Sequence, residues 1–335
     1  MRVVGGRRPN VRRMTRRGDL AGLVEALEYN DPVADRRGHS VDLGVPVRMA
    51  AVEALAQSTH PDAVSGLVRA LDDDHGGVRS TAIGALRARR EDRVTRALVA
   101  RVASPASPDG EGERSRAEAL DALLDTGDPR TPELLVLALV HRDDDGPLDE
   151  SDASSVAAVL AMSAAAADGV AWRLVPLLGH HRPAVCDRAE TCLTWLEGPS
   201  VEPLTAALDR PDIRGRAARV LGRLRDNRAV GALTDMVFDH DPAVRCAVVQ
   251  ALGEIKDISA ATALLRCSRD DEHGVRVAAS RALRGLGAAG TVAAIAELGQ
   301  SLDAVAGPLD GPRADEPEAI TSQAGVPGSA AGSSP

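Results

Sequence analysis

Four histidines stand beside carboxylates or another histidine at turn-like positions: His75 after Asp74, His181 after His180, His240 between Asp239 and Asp241, and His273 after Glu272. Imidazole beside carboxylate is the donor mixture of zinc and iron sites, so a metal edge is the first chemistry to weigh. If these turns belong to successive helical layers, they lie about 8–10 Å apart, too far for one ion to join them. His180-His181 is the one adjacent pair and reads as solvated turn residues. The cysteines offer no more. Cys186 and Cys192 are six residues apart on one expected helix, about 240° around its axis, and cannot bridge. Cys246 and Cys267 fall in different segments, and all four read as small buried hydrophobes. No Gly-rich phosphate loop, G-x-S-x-G, H-E-x-x-H or C-x-x-C occurs in the chain. The expectation is therefore no catalytic residue, no metal ligand and no cofactor.

Arginine is the remaining chemically versatile residue. Of 40 basic residues, Lys256 alone is a lysine. Arg48, Arg79, Arg214, Arg245 and Arg276 each follow Val or Ile and an Asp-bearing stretch. They could form a basic stripe for an anionic partner. The acids ahead of them, Asp241 among them, favour a ladder of Asp–Arg pairs that sets the register between neighbouring units. Exposed pairs of this kind contribute only about 0–1 kcal/mol each. Residues 1–17 hold a second set: Arg2, Arg7, Arg8, Arg12, Arg13, Arg16 and Arg17. Without an interleaved aromatic this start reads as a solvated lead-in with a short helix, rather than a nucleic-acid or lipid arm. Trp172 and Trp195 are the only tryptophans in a chain with one Tyr and one Phe. They either fill a gap in the packing or anchor a partner, since tryptophan is enriched at binding hot spots.

The elements that must position these residues follow from one offset. Ile213-Arg214, Val244-Arg245 and Val275-Arg276 recur at 31 residues, and so do Val47-Arg48 and Val78-Arg79. A repeat of this length decides the fold before any single residue does. In the copy at His240–Gly253, an Asp-rich turn leads through Pro242 into a helix whose Val244, Val248, Ala251, Leu252 and Ile255 share one face. A short polar turn and a second apolar helix, such as Ile258 to Arg266, complete the unit. One helix pair cannot bury its own apolar face, so the units must stack. The fold class expected is all-α: an α-solenoid, or superhelix, of stacked antiparallel helix pairs.

The organisation expected is an arginine-rich lead-in at 1–18, about eight helix pairs plus a capping helix over 19–302, and a disordered tail at 303–335. That tail is mostly Pro, Gly, Ser, Ala, Asp and Glu, a composition that cannot offset the entropy of ordering. Insert loops fall near 29–45, 104–113 and 143–152, the places where a solenoid gains selectivity. The middle units lose the Val-Arg signature, and no alternation typical of strands stands out. A 44% hydrophobic content almost without aromatics implies a core of Leu, Val and Ala.

The D-P-x-V-R-x-x-A-x-x-A-L-G pattern, clearest from Asp241-Pro242-Ala243-Val244-Arg245 to Ala251-Leu252-Gly253, resembles the HEAT repeats of bacterial and archaeal proteins. It is most similar to the short kind named after phycobilisome lyase subunits. The resemblance spans residues 19–300, strongest at 45–90 and 200–287. It implies right-handed stacked helix pairs and recognition of proteins on a concave face. The HEAT-type di-iron hydroxylases use a repeated His-Glu dipeptide for their metal, and that dipeptide is absent here.

The function expected is a non-enzymatic scaffold or adaptor that binds a protein partner on its curved surface, in the cytoplasm. One alternative is an accessory subunit of a lyase or cofactor-maturation enzyme. Another is nucleic-acid binding through the N-terminal arginines, which a net charge of −9 disfavours. No stretch approaches the roughly 18 apolar residues of a membrane span.

Overall fold

Asp-Pro and His-Pro steps start helices here for a local reason. The side chain before the proline caps an orphan N–H, and the proline sits where no N–H is needed. Asp241 Oδ1 accepts from the Ala243 amide at 2.8 Å with Pro242 following, and His60 Nδ1 accepts from the Asp62 amide at 3.2 Å ahead of Pro61. The computed structural model describes residues 3–4, 7–34, 40–105, 110–162, 164–287 and 292. The expected capping helix after residue 290 and the tail at 303–335 fall, apart from residue 292, outside the described residues.

The helices in chain order are α1 (Val11–Arg17), α2 (Leu20–Ala26), α3 (Val45–Ala56), α4 (Pro61–Arg69), α5 (Gly76–Leu86) and α6 (Asp92–Val102). Next come α7 (Glu111–Thr126), α8 (Thr131–Val140), α9 (Glu150–Leu160), α10 (Ala164–Leu174), α11 (Pro183–Leu196) and α12 (Val201–Ala207). The last are α13 (Arg214–Leu224), α14 (Val230–Asp235), α15 (Pro242–Ile255), α16 (Ala261–Cys267) and α17, over 273–287. From α2 onward, each even-numbered helix and the odd-numbered helix after it form a unit, and the units stack into an all-α solenoid. Fully buried leucines such as Leu55, Leu67, Leu86, Leu98, Leu123, Leu135, Leu139 and Leu174 run through a continuous aliphatic core.

The two layers of helices are not equally spaced. On α13, a Cβ added at Gly222 would lie 2.7 Å from Ala251 Cα on α15. On α15, one added at Gly253 would lie 2.7 Å from Ala282 Cβ on α17. Glycine and alanine thus let the odd-numbered helices approach closely, while α12, α14 and α16 touch one another far less. A stack tighter on one layer curves toward it, so at α3–α7 and α13–α17 the odd-numbered helices line the inner side, whereas between α6 and α11 the even-numbered helices pack the closer. Each of α13 and α15 ends on a left-handed residue, Arg225 at φ 53° and Lys256 at φ 60°, and Gly287 takes φ 71° one repeat later. A β-carbon is a steric cost in that conformation, which is why helix ends of this kind favour glycine.

One sequence expectation is corrected. The 29–45 insert is not strand-free: Tyr29–Asn30 pairs in parallel with Val3–Val4, and Pro32–Ala34 pairs antiparallel with Ser40–Asp42. These strands are two or three residues long, too short for an alternating pattern to register. The boundary between α9, which ends at Leu160, and α10, which begins at Ala164, falls inside an alanine-rich stretch. An alanine-rich run favours helix on both sides of the break, so its composition does not mark the boundary.

Candidate interaction surface

The recurrent arginines occupy the first turns of odd-numbered helices, and Arg48 and Arg245 each reach two turns at once. Arg245 on α15 donates from Nη1 to the carbonyl of Asp239 at 2.8 Å, six residues back in its own unit. From Nε and Nη2 it donates to both carboxylate oxygens of Asp270, at 2.8 and 2.9 Å, 25 residues on in the next unit. Six and 25 make up the 31-residue repeat. The same carboxylate caps its own turn, since Asp270 Oδ1 accepts from the Glu272 amide at 2.9 Å. The hydrogen bond from Arg245 holds the Asp270 carboxyl below the usual carboxylate range.

Arg48 on α3 repeats this geometry in deeper burial, 1% exposed. Its Nε and Nη2 donate to Asp73 at 2.7 and 3.0 Å, and Nη1 donates to Asp42 and to the Tyr29 carbonyl. Burial pushes the Asp42 carboxyl up, but the hydrogen bonds from Arg48 and from the Asp31 and Gly44 amides outweigh it and leave Asp42 below its ordinary value. Arg214 on α13 donates to Asp239 at 3.0 Å and approaches the His240 ring. Arg79 on α5 donates to the Asp73 and Asp74 carbonyls and to Ser115 Oγ at 3.1 Å. The described partners of Arg276 are the carbonyls of Asp270 and Asp271, both at 2.7 Å. Asp241, expected within the ladder, caps α15 instead. Asp239, two residues earlier, takes the arginine, because the acceptor must point across to the preceding unit.

The middle units carry a denser version that the sequence did not disclose. Arg116 on α7 donates to Asp152 on α9, and Arg142 at the end of α8 donates to the other Asp152 oxygen at 3.2 Å. Arg142 also donates to Asp144 at 2.7 Å, and Arg188 on α11 donates to the same carboxylate at 2.6 Å. Arg188 further bonds the carbonyls of Arg142 and Gly146, so the acidic insert at 143–152 is folded onto it. Arg116, Arg188 and Asp152 are each at most 2% exposed. The spacing is broken by the inserts, so no fixed offset points to this network. The remaining signal is only an arginine in the first half of α7 and of α11.

On the inner layer, three arginines of α13 converge on one carboxylate of α11. Arg216 Nη1 lies 2.6 Å and Arg219 Nη2 3.4 Å from Glu190 Oε1, and Arg223 pairs with Oε2. Asp187 adds a second carboxylate, 3.1 Å from Arg216. The Glu190 side chain is 9% exposed, whereas Arg216, Arg219 and Arg223 are 30%, 47% and 42% exposed. The positions 31 and 62 residues beyond Arg219 are Gln250 and Arg281, both exposed, and they extend one solvent-facing row along the inner layer. None of these residues was singled out from sequence.

Trp172 on α10 is 49% exposed, and Trp195 on α11 is half-buried against the core. An open groove of about 620 Å³ lies between α12 and α14, lined by Glu202, Thr205, Asp209, Arg228, Asp235 and Met236. Of the histidines, His75 caps its helix, Nδ1 accepting from the Gly77 amide, His180 stacks on His181 with ring centroids 4.2 Å apart, and His240 lies against Arg214. Among the described residues, no group of three or more His, Cys, Asp or Glu is placed to hold a metal ion. Cys186, Cys192 and Cys267 are buried, and burial pushes the Cys192 thiol up to about 12 and the Cys267 thiol up to about 11. Cys246 departs from the expectation of four buried thiols. It is part-exposed because its position on α15 lies at the edge of the inner layer, where Gln250 covers it at 3.3 Å. No helix among the described residues is long and apolar enough to cross a membrane.

Comparison with known proteins places this geometry. The family described as HEAT repeats matches residues 45–111 and 201–284. No curated protein matches the chain. Among solved structures, human deoxyhypusine hydroxylase in complex with glycerol is similar at 21% identity, covering 82% of this chain and 98% of its own, with a TM-score of 0.31. An engineered protein is similar at 20% identity, covering 87% and 85%, with a TM-score of 0.32. Kap121p bound to Nup53p is similar at 13% identity over 88% of this chain and 37% of its own, with a TM-score of 0.38.

Proposed function

This chain carries HEAT repeats over residues 45–111 and 201–284, and from that premise we propose that it is a non-enzymatic scaffold that binds a protein partner along its inner surface. One observation carries the reading. Ion pairs that bridge successive units, such as Arg48–Asp73, Arg214–Asp239 and Arg245–Asp270, fix the stacking register and leave the outward positions of the odd-numbered helices free for a partner. A rigid array of this sort binds without paying for ordering. The inner row carries Glu53, Asp121, Arg219, Gln250 and Arg281, a mixed-charge surface suited to protein recognition.

The test is cross-linking mass spectrometry on the tagged chain isolated from its own host at native salt. The expected result is one stoichiometric protein whose cross-links fall on the odd-numbered helices. Cross-links confined to the even-numbered helices, or recovery of nucleic acid alone, would overturn the reading. A coloured small molecule travelling with the chain would replace it with the role of an accessory subunit in lyase or cofactor chemistry.

A further inference from the structure

The arrangement at Glu190 brings three arginines of one helix onto one carboxylate, where the buried middle network brings two onto Asp152. The Arg245 rung sets one arginine against one turn aspartate, and its guanidinium spends its donors on that carboxylate and on backbone carbonyls. At Glu190, three guanidiniums face two carboxylates, Glu190 and Asp187, so one positive charge is left over. Glu190 sits beneath them and is nearly closed to solvent, while Arg219 and Arg223 stay close to half exposed. Among the described residues, Arg219 and Arg223 each donate from Nη2 alone. A guanidinium has five N–H donors in a planar fork, so each of these presents most of its donors to the inner side of the curve.

We propose that Arg216, Arg219 and Arg223 of α13 are the docking point for an acidic peptide segment of a partner protein. This rests on the scaffold reading and adds to it the chemistry of the partner. Residues 216, 219 and 223 fall on one helix face at steps of three and four, so carboxylates on a bound segment can meet successive forks. Glu190 holds the arginines in place before the partner arrives, which lowers the ordering cost of binding. Bidentate arginine–carboxylate pairs then supply direction as well as charge. The row toward Gln250 and Arg281 gives an extended segment further polar partners on the same side. An acidic peptide fits better than nucleic acid, because single-strand binding adds base stacking on aromatic side chains and the helix that carries these arginines, Arg214–Leu224, has none.

The experiment uses the full chain and a fluorescein-labelled peptide of about a dozen alternating Glu and Asp residues, followed by fluorescence anisotropy at two salt concentrations. Oligouridylate RNA of equal length serves as competitor. Arg219→Gln with Arg223→Gln removes the free forks and leaves Arg216 on Glu190. Arg266→Gln with Arg269→Gln removes the same charge from the end of α16 on the outer layer. Arg219→Lys with Arg223→Lys keeps the charge and guards against a folding defect. The expected result is saturable binding that falls about 10-fold or more in the first variant, about 2-fold or less in the second, and partway in the third. Equal loss in the first two variants, absence of saturable binding by the wild type, or preference for the RNA overturns the assignment. A partner cross-linked to the inner layer that binds Arg219→Gln/Arg223→Gln as well as wild type removes this site and leaves the scaffold reading standing. A partner cross-linked only to even-numbered helices removes both.

Discussion

Arg245 and Asp270 stand 25 residues apart in sequence and meet through two parallel hydrogen bonds of 2.8 and 2.9 Å that join adjacent units. The same arginine holds the carbonyl of Asp239, so each turn is gripped by the arginine of its own helix and by that of the helix before it. The ladder therefore acts on register as well as on energy, and its members differ in burial.

Removing a rung should cost according to that burial. Arg48→Ala leaves Asp73 and Asp42 without their shared cation in a site where Arg48 is 1% exposed. The expected loss is about 3–5 kcal/mol, whereas Arg245→Ala, in a rung 16% exposed at the arginine and 12% at the aspartate, is expected to lose about 1–3 kcal/mol. Urea denaturation of both variants and of the corresponding Asp→Asn partners would check the order; a larger loss at Arg245 than at Arg48 would contradict it.

Acid should loosen the ladder. Asp270, through its hydrogen bond from Arg245, and Asp42 are both held below their ordinary pKa in the folded chain. Their contribution is fully present above the unfolded carboxylate value near 4 and is lost as pH falls through the lower folded values. The melting temperature is expected to hold from pH 7 to about 5 and to drop below about 4. Asp270→Asn should flatten that drop.

Close approach of the inner helices predicts opposite outcomes for two glycines. Gly222→Ala places a methyl 2.7 Å from Ala251 Cα, which is backbone and cannot swing aside, so a loss of about 1–3 kcal/mol is expected. Gly84→Ala on α5 meets nothing within 4 Å and should stabilise by about 0.5–1 kcal/mol. Thermal unfolding of the two single variants decides the matter. At the helix end, Lys256→Gly relieves a left-handed side chain at φ 60° and should be neutral to slightly stabilising.

The tryptophans should separate by layer. Trp172→Ala removes a half-exposed ring and is expected to change stability by no more than about 0.5 kcal/mol. Trp195→Ala strips a half-buried ring from the core and should lose about 1.5–3 kcal/mol. Calorimetry gives both values, and a partner-binding assay on Trp172→Ala asks whether the exposed ring is an anchor.

Thiol reactivity offers a check on burial. With Cys192 pushed up to about 12 and Cys267 to about 11, and Cys186 buried and donating to the His180 carbonyl, one thiol per chain should react quickly with an aromatic disulfide at pH 8. That thiol is Cys246, and Cys246→Ser should abolish the fast phase.

The sequence alone determined the fold class, because a 31-residue return of Val/Ile-Arg and Ala/Val-Leu is met by similar helical units stacked on one another. It also marked the helix start at Asp241-Pro242, where capping is a matter of neighbouring residues. Tertiary structure decided what those residues touch. That Arg245 takes Asp270, and that Arg214 takes Asp239 while Asp241 stays a cap, depends on which carboxylate points across the gap between units. The buried network through Arg116, Asp152, Arg142, Asp144 and Arg188 lay hidden behind inserts that erase the offset. Glu190 and its three arginines come from two helices that sequence spacing does not align. Periodicity reports what recurs along the chain; a site assembled once, from side chains of different units, leaves no period to read.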